Sequence, residues 1–287
     1  MPKMIISADW HIRATRPRCR IDNDWLETQR KALRQVLEIS DKKGAPIMVV
    51  GDLFHSNSDT SFECINMVQK LADMAGGLYI LAGNHDLPYH NSENLDKSAI
   101  GVLFNSENIF KIEDYSDKFS AGNFDEERLS MPYMFIHTLT IPKSENAGFV
   151  DCETPESLLE KYPTAKWIFT GDYHHNFCYH KKGRYVINSG CLLRQASDMK
   201  DYQCGVYFVD TDEEIVEFIP IIDNEDLIDD SYILQENERN ERIESFVDKL
   251  RKTKGVSLDF VDNVQNEIKH NDMPDGLKDV IHELLEV

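Results

Sequence analysis

The chain has no stretch approaching the roughly 20 apolar residues that a membrane-spanning helix needs, and its six cysteines include no Cys-x-x-Cys pair. The first absence excludes a helical membrane protein. The second, with Cys19, Cys64, Cys152, Cys178, Cys191 and Cys204 scattered along the sequence, argues against a disulfide framework or a zinc site and for free thiols in a reducing compartment. Residues 1–6 run into polar sequence too soon for a signal peptide, so a cytoplasmic location is expected. No Walker A sequence is present, so any ATPase that works with this chain is a separate polypeptide. No internal repeat or low-complexity tract occurs.

Positive charge is also scarce. Lys and Arg number 31 against 51 Asp and Glu, a net charge of −20 over 287 residues, which excludes a protein that coats nucleic acid with its whole surface. The imbalance is uneven: residues 211–287 carry −14 and residues 1–210 only −6. Two windows are basic, residues 1–20 and residues 181–200, each at +4. With 41% hydrophobic and 29% charged residues the chain can bury a core, in one large domain or two smaller ones.

The first half alternates between strand and helix patterns. Short apolar runs at 3–7, 46–50 and 78–82 read as strands. Residues 24–43 and 60–74 show helical spacing, with Asp22 or Asn23 as the expected N-cap of the first and Gly44 and Gly76-Gly77 as stops. Such units imply right-handed crossovers and a largely parallel sheet. From about residue 108 short β-like runs follow, at 133–141, 166–170, 184–188, 205–210 and 214–219, with one helix at 155–162. The expected fold is α/β, two packed sheets with helices outside. After Asp223 the chain becomes very acidic, with helical patterns at 237–252, 258–270 and 277–285. The expected division is therefore 1–222 and a mainly helical 223–287, a cap or a docking element for a partner.

Four clusters follow expected strands: Asp9-Trp10-His11, Gly51-Asp52, Gly83-Asn84-His85-Asp86 and Gly171-Asp172-Tyr173-His174. In a sheet built from crossovers the C-terminal strand ends share one edge, where ligands bind, so the four clusters converge. His137, inside an apolar run, is a fifth member. Carboxylate, imidazole and an Asn carbonyl suit Mn2+, Mg2+, Fe or Zn2+. A carboxylate between two ions bridges them, and a pair of ions roughly 3.5–4 Å apart clamps a phosphate and generates a hydroxide nucleophile. Each piece alone is weak, since Gly-Asp is commonly a turn and a histidine in an apolar run is commonly a hydrogen-bonded core residue. Their order and strand-end placement carry the reading.

Asp-x-His, Gly-Asp and Gly-Asn-His-Asp in this order, followed by Gly171-Asp172-Tyr173-His174, resemble the calcineurin-like metallophosphoesterase signature over residues 1–220. Within that superfamily the chain most resembles the SbcD-type exonuclease subunit of double-strand-break repair. The resemblance rests on Ser7-Ala8-Asp9-Trp10-His11, on Gly51-Asp52-Leu53-Phe54-His55 and on Val186 to Arg194, while Arg16-Pro17-Arg18-Cys19-Arg20 is similar to compact, often phage-encoded members. The resemblance implies a four-layer α/β/β/α sandwich and a Mn2+-dependent DNA nuclease. It implies one metal held by Asp9, His11 and His174, a bridging Asp52, and a second metal held by Asn84, His137 and Asp172. His85 would be the general acid, oriented by Asp86, with His55 at the scissile phosphate. The implied partners are DNA, a separate SbcC-like ATPase and a second copy of the chain, with no membrane.

Two positions depart from that pattern. Asp172 stands where the family usually has His, and Cys191 where Ser is common. A carboxylate still ligates a hard metal. Of His174 and His175, His174 keeps the Gly-x-x-His spacing. Arg13, Arg16, Arg18 and Arg20 directly follow the first cluster and are expected to grip phosphates, because guanidinium forks bind phosphate oxygens bidentately. Arg194 joins them, with a weaker case for Lys181, Lys182 and Arg184. Two rival readings remain: a phosphodiesterase or phosphatase for small nucleotides, and a non-catalytic binding module on the same fold.

Overall fold

The fold is a computed structural model that describes residues 3–57, 60–123, 131–145, 152–223, 228–229, 268 and 278. Its elements are β1 (Lys3–Ser7), α1 (Trp25–Lys43), β2 (Ile47–Val50), α2 (Phe62–Ala75), β3 (Leu78–Leu81), α3 (Ala99–Leu103) and β4 (Ile109–Lys111). They continue as β5 (Phe119–Asn123), β6 (Tyr133–His137), α4 (Pro155–Lys161), β7 (Trp167–Gly171), β8 (Phe177–Lys181), β9 (Arg184–Asn188), β10 (Gly205–Asp210) and β11 (Ile215–Pro220).

Two sheets form. The first runs β11-β10-β1-β2-β3-β4 and the second β5-β6-β7-β9-β8. The β1-β2-β3-β4 and β5-β6-β7-β9 pairings are parallel, and antiparallel pairing is confined to β10, β11 and β8. Strand alternation sorts the side chains into layers. Met4 and Ile6 of β1 and Met48 and Val50 of β2 point inward, against Phe135, Phe169 and Ile187 of the second sheet. Ile5, Ile47 and Val49 point outward, onto Leu33, Val36 and Leu37 of α1 and Val68 and Leu71 of α2. On the other side Leu158 and Leu159 of α4 cover Met134, Ile136, Ile168 and Val186. The layers are α/β/β/α. Each such side chain taken from water contributes about 1.5–3 kcal/mol, and this core holds the strand ends in place.

The expected helices and strands of the first half lie within two residues of their observed bounds. The cap of α1 differs. Asp24, not Asp22 or Asn23, accepts the Glu27 N–H at 2.9 Å. The Asp22 carboxylate is instead taken by Arg20 and by the Thr28 hydroxyl. Ser61 caps α2.

The chain divides into two units, Met1–Asp229 and Asp230–Val287. The first reaches beyond the expected boundary at 222/223 because its last segment is tied in: Asp229 N–H donates to the Cys19 carbonyl at 2.7 Å, and Arg20 and Ile228 form a β-bridge. In the second unit Ile268 and Lys278 are described, both helical. The helices expected at 237–252, 258–270 and 277–285 otherwise lie outside the described residues. No disulfide joins the six cysteines, and among the described residues no helix is long and apolar enough to cross a membrane.

Candidate metal centre

The clusters leave the sheets where the strands end. Asp9 and His11 follow β1, Asp52 follows β2, Asn84 and His85 follow β3, His137 ends β6, and Asp172 and His174 follow β7. The first two loops run side by side: Asp9 N–H donates to the Gly51 carbonyl, His11 N–H to the Asp52 carbonyl and Ile12 N–H to that of Leu53. Asp9, His11, Asp52 and Asp172 all have positive φ, between 44° and 82°. Non-glycine residues rarely adopt this region, and strained backbone of this kind gathers at functional sites. Two glycines make room. A Cβ at Gly51 would land on the His137 ring, and one at Gly83 on the Asp52 carboxylate.

The donors converge in two halves. On one side His11 Nε2 lies 3.1 Å from His174 Nε2, and Asp9 joins these two in a group whose ligand atoms fall within 4.8 Å of one another. On the other, His137 Nε2 lies 2.9 Å from Asn84 Oδ1, 3.3 Å from Asp52 Oδ1 and 3.9 Å from Asp172 Oδ1. Asp52 belongs to both: its Oδ2 is 3.7 Å from His11 Nε2. Backbone contacts set the orientations. His137 Nδ1 donates to the Val50 carbonyl at 3.1 Å, which leaves Nε2 facing the cluster. Both Asp9 oxygens accept from the Asp172 N–H, at 3.0 and 3.1 Å.

Asp9, Asp52 and His137 are almost wholly buried. Burial pushes the Asp9 carboxyl well above the ordinary range, with Asp52 and Asp172 adding to the rise against an opposing pull from His137. For Asp52 burial acts the same way, but His137, His11 and His85 outweigh it and hold the carboxyl below its usual value. Burial disfavours a cationic His137, yet the Asp52, Asp9 and Asp172 carboxylates raise it to about 10. Burial lowers His11 to about 3 and also lowers His174. The cluster thus stabilises a cation at His137 Nε2 and neutral imidazoles at His11 and His174.

These residues fit divalent metal. His11 and His174 present two imidazole nitrogens 3.1 Å apart, close enough that both would bind a single ion. Neutral imidazole, carboxylate and amide oxygen are the donors that Mn2+, Fe and Zn2+ take. His11 Nδ1 is buried with no hydrogen-bond partner, so that ring's hydrogen bonding is incomplete within the protein.

Residues 2–195 match the family model described as calcineurin-like phosphoesterase. The chain belongs to that family. A search of curated proteins finds no significant match. Solved structures similar to this chain include TT1561 of Thermus thermophilus, at 11% identity and TM-score 0.45, covering 77% of this chain and 99% of that one. A novel archaeal phosphodiesterase matches at 14% identity and TM-score 0.40, over 76% and 99% of the two chains. Protein PH1004 from Pyrococcus horikoshii matches at 13% identity and TM-score 0.43, over 84% and 94%. Identities this low leave the substrate to be argued from the residues of this phosphoesterase.

His85 stands beside the centre. Its N–H donates to Asp52 Oδ1 at 2.9 Å, and its ring centroid is 5.0 Å from that of His11. Asp86 does not orient it. The His85 Nδ1 donates to the His55 carbonyl at 2.8 Å, whereas the Asp86 carboxylate accepts the backbone N–H groups of Leu53, Phe54 and Gly83 at 2.8–3.1 Å. Asp86 is a buried staple between the loops after β2 and β3, and consecutive residues in this turn send their side chains in different directions. Burial and the nearby Asp52 charge raise its carboxyl to about 7 against those three donors. His55 lies 5.7 Å from His11, centroid to centroid, and its Nε2 is 2.9 Å from Arg13 Nη1.

The basic loop divides. Arg16 and Arg18 are exposed, Arg16 donating one bond to the Asp22 carbonyl. Arg20 does not face a substrate: it is 1% exposed, and its fork is filled by both oxygens of Asp22 and both of Asp223. Arg194 is likewise buried, bound to Asp223 and to the Lys200 carbonyl. These two arginines tie the chain together, which corrects their expected phosphate role. Arg184 binds the Ala165 and Tyr162 carbonyls.

Sequence reasoning missed several supports of this phosphoesterase centre. Buried Asn188 donates to the Tyr173 and His175 carbonyls and so holds the turn that aims His174 inward. His175 stacks on Tyr202 instead. Gln195 donates to the carbonyls of Trp10 and His11. Asn188 and Gln195 lie in and just after the 186–194 run already singled out; the others carry no local signal. Cys191 packs against Met199 and Cys204.

Proposed function

We propose that this phosphoesterase is an SbcD-type, Mn2+-dependent phosphodiesterase that cuts DNA. The observation that carries the phosphodiester chemistry is the Asp52 carboxylate, with one oxygen turned to His137 and the other to His11, beside a histidine whose Nδ1 is held by the His55 carbonyl, His85. Asp9, His11, Asp52 and His174 would hold one ion, and Asp52, Asn84, His137 and Asp172 the other. Ions held there would supply charge to the phosphate oxygens and acidify water near neutral pH. Water oxygen adds to phosphorus and the bond to the leaving sugar oxygen breaks. His85, its Nδ1 committed to the His55 carbonyl, gives the leaving oxygen a proton from Nε2. His55 stacks on His85 and holds Arg13, and the two would meet the flanking phosphate.

For DNA as the polymer the support is the exposed Arg16 and Arg18 on the loop that begins at His11, together with the sequence cues shared with SbcD-type nucleases. A small-nucleotide substrate is favoured instead by the inward turn of Arg20 and Arg194 and by the net charge of −20. A Mn2+ cleavage panel of linear duplex DNA, single-stranded DNA, bis(4-nitrophenyl) phosphate and cyclic nucleotides decides between them, with His85→Asn as control. DNA degradation that disappears in His85→Asn is the expected result. Cleavage of the small diesters alone would transfer the assignment to nucleotides.

A further inference from the structure

Eight non-glycine residues among those described have positive φ. Four are Asp9, His11, Asp52 and Asp172 of the metal centre, and two, Lys182 and Glu214, sit in the turns between β8 and β9 and between β10 and β11. The remaining two are consecutive, Tyr89 (φ 57°) and His90 (φ 53°), on the loop that starts at Asn84 and His85. Tyr89 is also the most exposed large hydrophobic side chain among the described residues, at 90%. It covers neither the sheet edge nor the core. Isolated exposed hydrophobics are ordinary; an aromatic held outward by an unfavourable backbone, on a loop that carries site residues, is not.

The turn is fixed from several sides. His90 Nδ1 donates to the Asn84 carbonyl at 2.9 Å, and His90 N–H donates to the Leu87 carbonyl at 3.0 Å. Asn57, two residues after His55, donates to the same Leu87 carbonyl at 3.1 Å. Pro88 precedes Tyr89 and restricts the backbone further. The ring is therefore presented on a rigid turn that is hydrogen-bonded directly to Asn84. Tyrosine offers a large flat face with few torsions to immobilise. Beside a phosphodiester centre, the ligand with a matching flat face is the base attached to the sugar next to the scissile phosphate.

We infer that Tyr89 is the stacking residue for a nucleobase of the substrate, an inference that rests on the nucleic-acid reading proposed above. Stacking of this kind is tolerant of sequence, because every base has a π-face. Tyr89 then favours base-bearing substrates without selecting a sequence, and His90 acts as its positioning residue.

The test compares Mn2+-dependent cleavage of a single-stranded oligonucleotide of mixed sequence with that of the same strand carrying a run of abasic tetrahydrofuran residues. Wild-type protein, Tyr89→Ala and Tyr89→Phe are measured on both, with KM and kcat separated. The preference for the base-bearing strand, read in KM, falls about tenfold in Tyr89→Ala, the loss of one base stack, and Tyr89→Phe restores it. Three results overturn the inference. Tyr89→Ala with the wild-type preference removes the stacking role alone. Equal losses on both strands that Phe does not rescue make Tyr89 a structural residue. Wild-type protein that hydrolyses bis(4-nitrophenyl) phosphate but neither strand removes the nucleic-acid reading, and the stacking role with it.

Discussion

Arg13 donates a guanidinium N–H to His55 Nε2 at 2.9 Å. Burial first, then the Arg13 charge and His85, lower His55 to about 4, so the ring is neutral at pH 7. Its folded value lies below the ordinary 6.5, so protonation favours the unfolded chain. The stability it contributes is intact above pH 6.5 and is lost as the pH falls towards 4. In the metal-free protein Arg13→Gln is expected to raise the His55 titration midpoint towards 6.5, measured from its ring-proton NMR shifts. A midpoint left near 4 would mean that burial and the neighbouring histidines set it without Arg13.

Asp86→Ala separates a staple from a catalytic partner. Removing the carboxylate leaves three buried N–H groups without acceptors, each costing about 1–3 kcal/mol before relaxation. A total loss of about 3 kcal/mol would lower the Tm by roughly 6–12 °C in a domain of this size. His85→Ala should melt within a few degrees of wild type while losing turnover about 100-fold or more. Calorimetric melts of the two variants check this. A normal Tm with lost turnover in Asp86→Ala would return Asp86 to the role of orienting His85.

Metal uptake is expected to release a proton. Metal-free His137 titrates at about 10 and is therefore protonated at pH 7, but a ligating imidazole must give up that proton. The raised value adds stability to the metal-free fold that is complete below pH 6.5 and disappears as the pH rises through about 10. Mn2+ titrations at pH 7.5 in two buffers of different ionisation heat should differ by about one proton's worth, and affinity should rise with pH. His137→Gln should abolish most of the buffer difference.

The arginines are expected to separate by assay. Arg20→Ala leaves the buried Asp22 carboxylate without its arginine and Asp223 with Arg194 alone, a loss of about 3–5 kcal/mol, and leaves the salt dependence of DNA cleavage in folded protein unchanged. Arg16→Ala and Arg18→Ala should keep the Tm and each flatten the slope of log KM against log salt by up to about 0.9. Slopes that stay parallel would remove the basic loop from DNA binding.

Asp172 stands where the resemblance leads one to expect histidine, and its φ of 82° suits an Asp side chain. Asp172→His exchanges a hard donor for a softer one, so the ratio of Mn2+-supported to Zn2+-supported turnover should fall severalfold. An unchanged ratio would place residue 172 outside the coordination of the second ion.

How much of this was legible depended on the distance over which each signal acts. Strand-end clusters are local: Gly-Asp and Gly-Asn-His-Asp sit next to the apolar runs that become β2 and β3, so their convergence follows from parallel crossovers. β4, only three residues long, and the half-exposed β8 with its sequence Phe-Cys-Tyr-His-Lys offered no apolar alternation to read. The fate of Arg20 depended on Asp223, 203 residues away, and in sequence a buried guanidinium looks the same as a solvated one. The role that the resemblance implies for Asp86, orienting His85, fails because the turn directs its carboxylate to three backbone amides.

The spaces left by Gly51 and Gly83 have a consequence for classifying related chains. The functional groups of the centre are necessary but not sufficient. A homologue could keep all seven donors and His85 and still, with alanine at either glycine, be unable to bring His137 or Asp52 into position. Two hydrogen atoms therefore belong to the signature as much as the carboxylates do. Gly51→Ala and Gly83→Ala offer a way to silence the enzyme while every reactive group stays in the chain.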